Sequence, residues 1–366
     1  MGDFTFFEKL LFLIGYFLVS IFFSFIVNWL LLRLSFNLGV KNNDKSNQIR
    51  WANNVKPAVG GISFFIVFLI SISVIGALPR EASNFLDKKL IGIMAASSLG
   101  FIIGLADDAY NTNPLIKFIG QLSCAFILIF SDIYIPLTSV LSINYAITIF
   151  WVIGLMNSIN MLDNMDGITT SISASIIVGL IAVVFSQNSL LINHYIVLLV
   201  GVLGALCGFL YYNWHPAKIY MGDTGSQFMG VFLAATSIIY FWGFKDDFTT
   251  VIDIKQFVIP ILIFIIPLVD TTTVTIRRLM KKQSPFVGGK DHITHHLVYL
   301  GFSEKQVAIF LIFVSLVSIP IACLLVTGTV DWTPVATFFL IGYAFFIFII
   351  FQLLYNKGAA KHKAAQ

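Results

Sequence analysis

Long apolar runs alternate with short polar links from one end of the chain to the other. A helix that crosses a bilayer needs about 20 mostly apolar residues. By that measure the pattern predicts about eleven spans, at 10–34, 59–79, 90–106, 115–131, 143–156, 168–187, 190–212, 225–243, 256–276, 306–328 and 334–355. The links leave no room for a separate soluble domain and no internal repeat is visible. Residues 1–366 therefore read as a single all-α, polytopic transmembrane domain. The first run, 10–32, is too long for a signal-peptide core and lacks a small-residue cleavage pattern, so it reads as a retained span.

Composition agrees. The 366 residues are 58% hydrophobic and 11% charged, against about 25% charged in soluble domains. Such a chain could not cover a water-facing surface with the polar groups it has. The net charge of +4 does not point to nucleic acid, because the basic residues are dispersed among links between apolar runs. Cys124, Cys207 and Cys323 each lie inside an apolar run, which predicts inert thiols rather than a disulfide framework or a zinc ribbon.

The basic residues set the orientation. With the N-terminus outside, 16 of the 22 Lys and Arg residues fall on one set of links and helix ends, among them Arg33, Lys56, Lys117, Arg277, Arg278 and Lys357. Only Lys9, Arg80, Lys88, Lys89, Lys245 and Lys255 fall on the other. The richer face is predicted to be cytoplasmic, which also puts the C-terminus there.

Four polar clusters map to that same face. Asp107 and Asp108 end the third predicted span; Asn157, Asn160, Asp163 and Asp166 follow the fifth. Asn213 and the run Met221 to Ser226 follow the seventh, and His292, His295 and His296 follow the ninth. Each has a plain alternative: solvated helix ends, a polar loop with a helix cap, a Gly-Asp-Ser turn, a solvated histidine loop. Together on one membrane face they suggest chemistry, since charges near a bilayer are costly. Carboxylates bind hard divalent cations, and magnesium completes its shell with substrate phosphates. Lys, Arg and His meet phosphate. A nucleotide diphosphate is the expected substrate. Six histidines are too few for a membrane di-iron site, which needs about eight. Asp107-Asp108-Ala109-Tyr110-Asn111 lacks the third carboxylate of an intramembrane prenyltransferase motif.

The motifs GLADD at 104–108, NSINMLDNMDG at 157–167, NWHPAKIYMGDTGS at 213–226 and SPFVGGKDHITHHL at 284–297, in that order, resemble those of the polyprenyl-phosphate N-acetylhexosamine-1-phosphate transferases. The resemblance covers nearly the whole chain. It implies transfer of a HexNAc-1-phosphate from a UDP-sugar to polyprenyl (undecaprenyl) phosphate, with release of UMP, at the cytoplasmic membrane. It implies Mg2+ as cofactor, with Mn2+ able to substitute, and it is compatible with a homodimer.

By the same resemblance, Asp223 is the principal metal ligand and Asp107, Asp108, Asp163 and Asp166 form the catalytic carboxylate set. Asp107 and Asp108 stand near the lipid phosphate, and Lys117 meets phosphate. Asn157, Asn160 and Asn213 belong to the substrate site, together with Asp163 and Asp166. Tyr220 takes the uracil-stacking position, and His292, His295 and His296 stand at the diphosphate or sugar end. Asn111 replaces a Lys of the peptidoglycan translocase, which favours the sugar-phosphate transferases. Asn164 replaces a common Gly, and the histidine segment is one residue longer than His-x-His-His. An ion-coupled secondary transporter is the alternative from another class, with Asp270 in the ninth span as its best residue.

Overall fold

A computed structural model describes residues 5–37, 56–77, 87–186, 194–242, 255–284, 289–326 and 333–365. The described residues form thirteen helices and no sheet beyond one isolated parallel bridge between Ala58 and Tyr220. In chain order they are α1 (Phe6–Asn37), α2 (Gly60–Ala77), α3 (Lys88–Tyr110), α4 (Pro114–Phe130), α5 (Leu141–Leu162), α6 (Ile168–Ser186) and α7 (His194–Asn213). There follow α8 (Gly222–Tyr240), α9 (Lys255–Ile263), α10 (Ile265–Met280), α11 (Ile293–Leu300), α12 (Glu304–Val326) and α13 (Pro334–Ala365).

Eight of these helices are long and apolar enough to cross a membrane, and the bent pair α9–α10 makes up to nine. The chain is thus an all-helical, multi-pass membrane protein. The two other predicted spans fall on α4, of 17 residues, and on α8, whose first turns are polar. The predicted ninth span is not continuous: its halves meet at an angle of 84° around Phe264, with Pro260 inside α9 and Pro267 in the first turn of α10. Proline removes a backbone donor and clashes with the preceding turn, which accounts for the break.

The most enclosed element is α8, buried from Thr224 to Tyr240 apart from Ile239. Small residues on its neighbours let backbones approach it closely, the usual device where lipid supplies no hydrophobic drive between helices. A Cβ on Gly104 of α3 would lie 2.1 Å from the carbonyl oxygen of Asp223, and one on Gly61 of α2 would lie 2.3 Å from the nitrogen of Gly225. Gly230 of α8 meets the backbone of Met156 on α5 in the same way. Phe65, Phe68, Phe101, Phe228 and Phe232 interlock below that contact, Phe65 stacking on Phe101 with centroids 4.0 Å apart. Cys124, Cys207 and Cys323 are free thiols, as expected.

Three boundaries differ from the sequence pattern in a way that matters for chemistry. Helix α3 continues to Tyr110 and α5 to Leu162, so Asp107, Asp108, Asn157 and Asn160 are helical residues rather than loop residues. Helix α8 begins at Gly222, so Asp223 to Ser226 form its first turn. Apolar windows stop at the first polar side chains, but the backbone ladder continues because those side chains find partners on neighbouring helices.

Candidate functional site

The site is built from helix ends. At the C-terminus of α3, Asn111 adopts the left-handed conformation (φ 50°) and Asn113 caps α4 through the backbone N–H of Leu115. Asn tolerates that backbone region better than most residues. This tight corner turns Asp107 towards Lys117. One carboxylate oxygen of Asp107 accepts from the N–H and hydroxyl of Thr112 at 2.9 and 2.7 Å; the other accepts from Lys117 Nζ at 2.7 Å.

Asp108 points at the start of α8. Its Oδ1 accepts from the backbone N–H of Asp223 at 2.9 Å, and its Oδ2 accepts from the N–H and hydroxyl of Thr224 at 2.8 and 2.6 Å. A carboxylate there satisfies unpaired helix donors and suits the positive end of the dipole. Gly222 makes the approach possible. Its φ is +77°, and a Cβ would lie 2.8 Å from both Ala58 O and Asp108 Oδ2. Lys117 Nζ also lies 3.5 Å from Asp223 Oδ2. The amide of Asn160 donates to Asp223 Oδ1 and, at 2.9 Å, to Ser226 Oγ.

Asp163 sits just past the end of α5. Burial, with the carboxylates of Asp223 and Asp108 close by, pushes its pKa up to about 7. Asp107, Asp108, Asp163, Asp223, Lys117 and Asn160 are therefore one cluster at one end of the bundle. The carboxylates of Asp107 and Asp223 flank the single ammonium of Lys117, at 2.7 and 3.5 Å, so their negative charges share one cation. Several oxygen donors and a crowded negative charge fit a hard ion such as Mg2+.

A second group adjoins it. Asp166, largely buried, accepts from the N–H of Ala217 at 2.8 Å and faces His215 Nδ1 at 3.1 Å and Lys56 Nζ at 3.7 Å. Glu304, from the first turn of α12, reaches the same His215 nitrogen at 3.0 Å. Asp166, His215 and Glu304 could together hold a metal ion, but an imidazole donor suits magnesium less well than the all-oxygen cluster. Lys56 also lies over the ring of Tyr220, 5.1 Å from its centroid. Backbone bonds from Tyr220 to Pro57 and from Gly60 and Gly61 to Tyr220 and Met221 hold these segments together. Asn213 is deployed differently from expectation. Both ends of its buried amide serve the fold, accepting from Thr170 Oγ1 at 2.6 Å and donating to Ile219 O at 3.0 Å.

The histidines belong to the short helix α11. Asp270 is neither lipid-facing nor alone: it pairs with His292 Nδ1 at 2.8 Å and accepts from the N–H of Ile293 at 2.9 Å, capping α11. The Arg278 guanidinium grips Asp291 through two bonds and holds its carboxyl below the usual range, although burial works the other way. Burial, helped by the nearby positive groups, pushes His295 down to about 3 and His296 to about 4, so both are neutral at ordinary pH. Thr294 donates to Asn164 at 2.7 Å, tying α11 to the loop that carries Asp163 and Asp166. Residues 285–288 of the fourth motif lie outside the described residues.

Sequence reasoning missed an amide layer one turn deeper. Gln121 bonds to both Asn157, at 2.9 and 3.3 Å, and Gln227, at 3.0 Å. Gln121 lies four residues after Lys117, Gln227 four after Asp223, and Asn157 three before Asn160. That helical spacing was the available signal. Asn157, expected at the substrate, is engaged in this layer.

The profile of glycosyl transferase family 4 matches residues 90–241, the stretch that carries the acidic cluster, the amide layer and all of α8. That stretch is similar to glycosyl transferase family 4. Individual proteins are similar along most of the chain's length. A Bacillus subtilis (strain 168) protein named "Probable undecaprenyl-phosphate N-acetylglucosaminyl 1-phosphate transferase" is 26% identical over 354 residues, covering 94% of this chain and 91% of that protein. The decaprenyl-phosphate N-acetylglucosaminephosphotransferase of Mycolicibacterium smegmatis is 27% identical over 325 residues, or 81% and 78% of the two chains. The phospho-N-acetylmuramoyl-pentapeptide-transferase of Oceanobacillus iheyensis is 29% identical over 309 residues, 80% and 89%. The matched stretch ends just after α8, so the histidine helix lies beyond it.

Proposed function

We propose that this chain transfers N-acetylhexosamine-1-phosphate from a UDP-sugar to polyprenyl phosphate and releases UMP, the first lipid-linked step of envelope glycan synthesis. The observation that carries this reading is the meeting of Asp107, Asp223 and Asn160 around Lys117 at a membrane-helix end. An acceptor whose tail stays in the bilayer can present its phosphate only near such a boundary. The names of the similar proteins, which act on undecaprenyl or decaprenyl phosphate, point the same way.

In the reaction an oxygen of the lipid phosphate forms a bond to the sugar-linked phosphorus, and the bond to the UMP oxygen breaks. A phosphate monoester has a second pKa of about 6, so the nucleophile is already ionised at neutral pH and needs no base. Asp108 has both oxygens engaged at the start of α8 and acts by positioning Asp223. Lys117 offers its ammonium to the acceptor phosphate, and Asn160 orients Asp223. Lys56, Tyr220 and Asp166 form the nucleoside end, and α11 faces the diphosphate or sugar end. Asp223 and Asp107 would hold Mg2+, which would neutralise charge on the diphosphate and the departing UMP.

We read α4 and α8 as further spans, eleven in all in a single domain, with the N-terminus outside and the site and C-terminus cytoplasmic. This follows the distribution of Lys and Arg. The test is Mg2+-dependent UMP release from UDP-N-acetylglucosamine that requires undecaprenyl phosphate. Asp223→Asn should abolish it in a folded protein. Robust turnover by that variant, or substrate uptake into liposomes without UMP release, would overturn the reading.

A further inference from the structure

Helix α13 is longer than a span requires. Its 32 residues extend about 48 Å at 1.5 Å per residue, against about 30 Å of hydrocarbon. Its final turns therefore leave the apolar layer, and they lie along α11. The ring of Tyr355, itself buried, packs on His296 with centroids 3.7 Å apart, and the Arg277 guanidinium lies 3.9 Å from the same ring. Arg277 is fixed in turn by Gln352 and Asn356 of α13, at 3.0 and 2.8 Å. A Cβ on Gly358 would lie 2.3 Å from His296 O. Lys361 Nζ donates to Leu300 O at 3.0 Å, at the last residue of α11, and His362 stacks on Tyr299 at 3.9 Å. Positions 355, 358 and 362 share one helical face, and that face covers α11 along its length.

An eight-residue helix cannot hold itself in water. Its place must be imposed by its surroundings. Asp270 and Arg278 of α10 fix its N-terminal end, Asn164 ties its front, and α13 is the wall behind it. Neither ring nitrogen of His296 has a hydrogen-bond partner among the described residues, although both are buried. A buried imidazole left in that condition is held by packing alone, and the packing is Tyr355 and Tyr299.

We propose that the final turns of α13 are a positioning element of the active site, in which Tyr355 and Gly358 set the depth at which α11 presents its histidines to the substrate diphosphate. This rests on the transferase reading above. Shifts of about 1 Å in a positioning group can cost 100-fold in rate, so a Cβ at 358, which must displace the His296 backbone, is expected to act on the rate.

Gly358→Ala separates this role from mere anchoring. Alanine is the better helix former, so the substitution strengthens α13 as a membrane helix while its methyl group must displace the backbone of His296. With the full-length protein in detergent, kcat for UMP release should fall tenfold or more, with KM for UDP-N-acetylglucosamine changed less than threefold, while the fold survives with an unfolding midpoint lowered by only a few degrees. Tyr355→Phe keeps the ring and should stay within twofold of the unmodified protein, whereas Tyr355→Leu should lose tenfold. Phe345→Leu, on the exposed apolar part of the same helix, should change nothing. Should Gly358→Ala fail to fold, the Tyr355 pair decides. Undiminished kcat in Gly358→Ala, or in Tyr355→Leu, overturns the positioning role. Absence of UMP release from the unmodified protein overturns the transferase reading instead.

Discussion

Replacing Lys117 with Met removes the cation from the acidic cluster while nearly keeping the length of the side chain. Nζ lies 2.7 Å from Asp107 and 3.5 Å from Asp223, and the three side chains are 17%, 10% and 27% exposed. Solvent therefore screens only part of the attraction. Removing one partner of a buried ion pair costs about 3–5 kcal/mol; the residual exposure puts the loss at the lower end, about 3 kcal/mol. At about 2 °C per kcal/mol for a chain of this size, the unfolding midpoint in metal-free detergent should fall by roughly 6 °C. Millimolar Mg2+ should restore half or more of that loss, because a cation bound at the same carboxylates supplies the missing charge and stabilises the folded state by mass action. Activity should stay at least about 100-fold down, since no ammonium then meets the acceptor phosphate. A variant as stable as its parent without Mg2+, or a deficit that Mg2+ leaves untouched, would refute the role of Lys117 as counter-ion.

Acid should loosen the fold through α11. His295 and His296 have folded pKa values near 3 and 4, below about 6.5 for a free imidazole, so their contribution is complete above pH about 6.5. It is lost as the pH falls towards the folded values, at about 1.4 kcal/mol per unit for each histidine. Melting curves between about pH 7.5 and 5 should show a falling midpoint that His296→Gln flattens; a midpoint independent of pH in that range would contradict the burial. Gly104→Val should drive α3 off the Asp223 carbonyl, costing about 1–3 kcal/mol and at least about tenfold in UMP release. Gly154→Val, where a Cβ meets nothing within 4 Å, is the control, and equal effects at the two sites would remove the close α3–α8 contact from the explanation.

Among the described residues every predicted span falls on helix, the ninth on two, because twenty apolar residues in a row have few other ways to satisfy their backbone in lipid. The site was legible in outline for a related reason: carboxylates and amides are rare near bilayers, so Asp107, Asp163 and Asp223 stood out. What could not be read was commitment. Asn213 and Asp108 carry the same groups as Asn160 and Asp223, yet Asn213 accepts from Thr170 and donates to the Ile219 carbonyl, and Asp108 accepts from donors at the start of α8. Asp270, the best residue for a transporter, also reads from its place near a helix end as a packed or capping carboxylate, and that is its role, with a partner 22 positions later. The bend at Phe264 had a visible cause in Pro260 and Pro267, but hydropathy alone joined the two halves. Helix α11 was hidden by its shortness, since its order comes from α10 and α13 rather than from its own eight residues.

A charged reaction chamber sunk into one edge of a bilayer is also the beginning of a wire, along which protons could hop to the far side. The floor of this chamber is made of Gln121, Asn157 and Gln227, which can pass hydrogen bonds but do not ionise in the range of biological pH. Phe228, which follows Gln227 in α8, and Phe232, one turn on, stack on each other and offer a relay nothing to use. A cell that stores energy as a difference in proton concentration across this membrane can keep such an enzyme in it without short-circuiting its own supply.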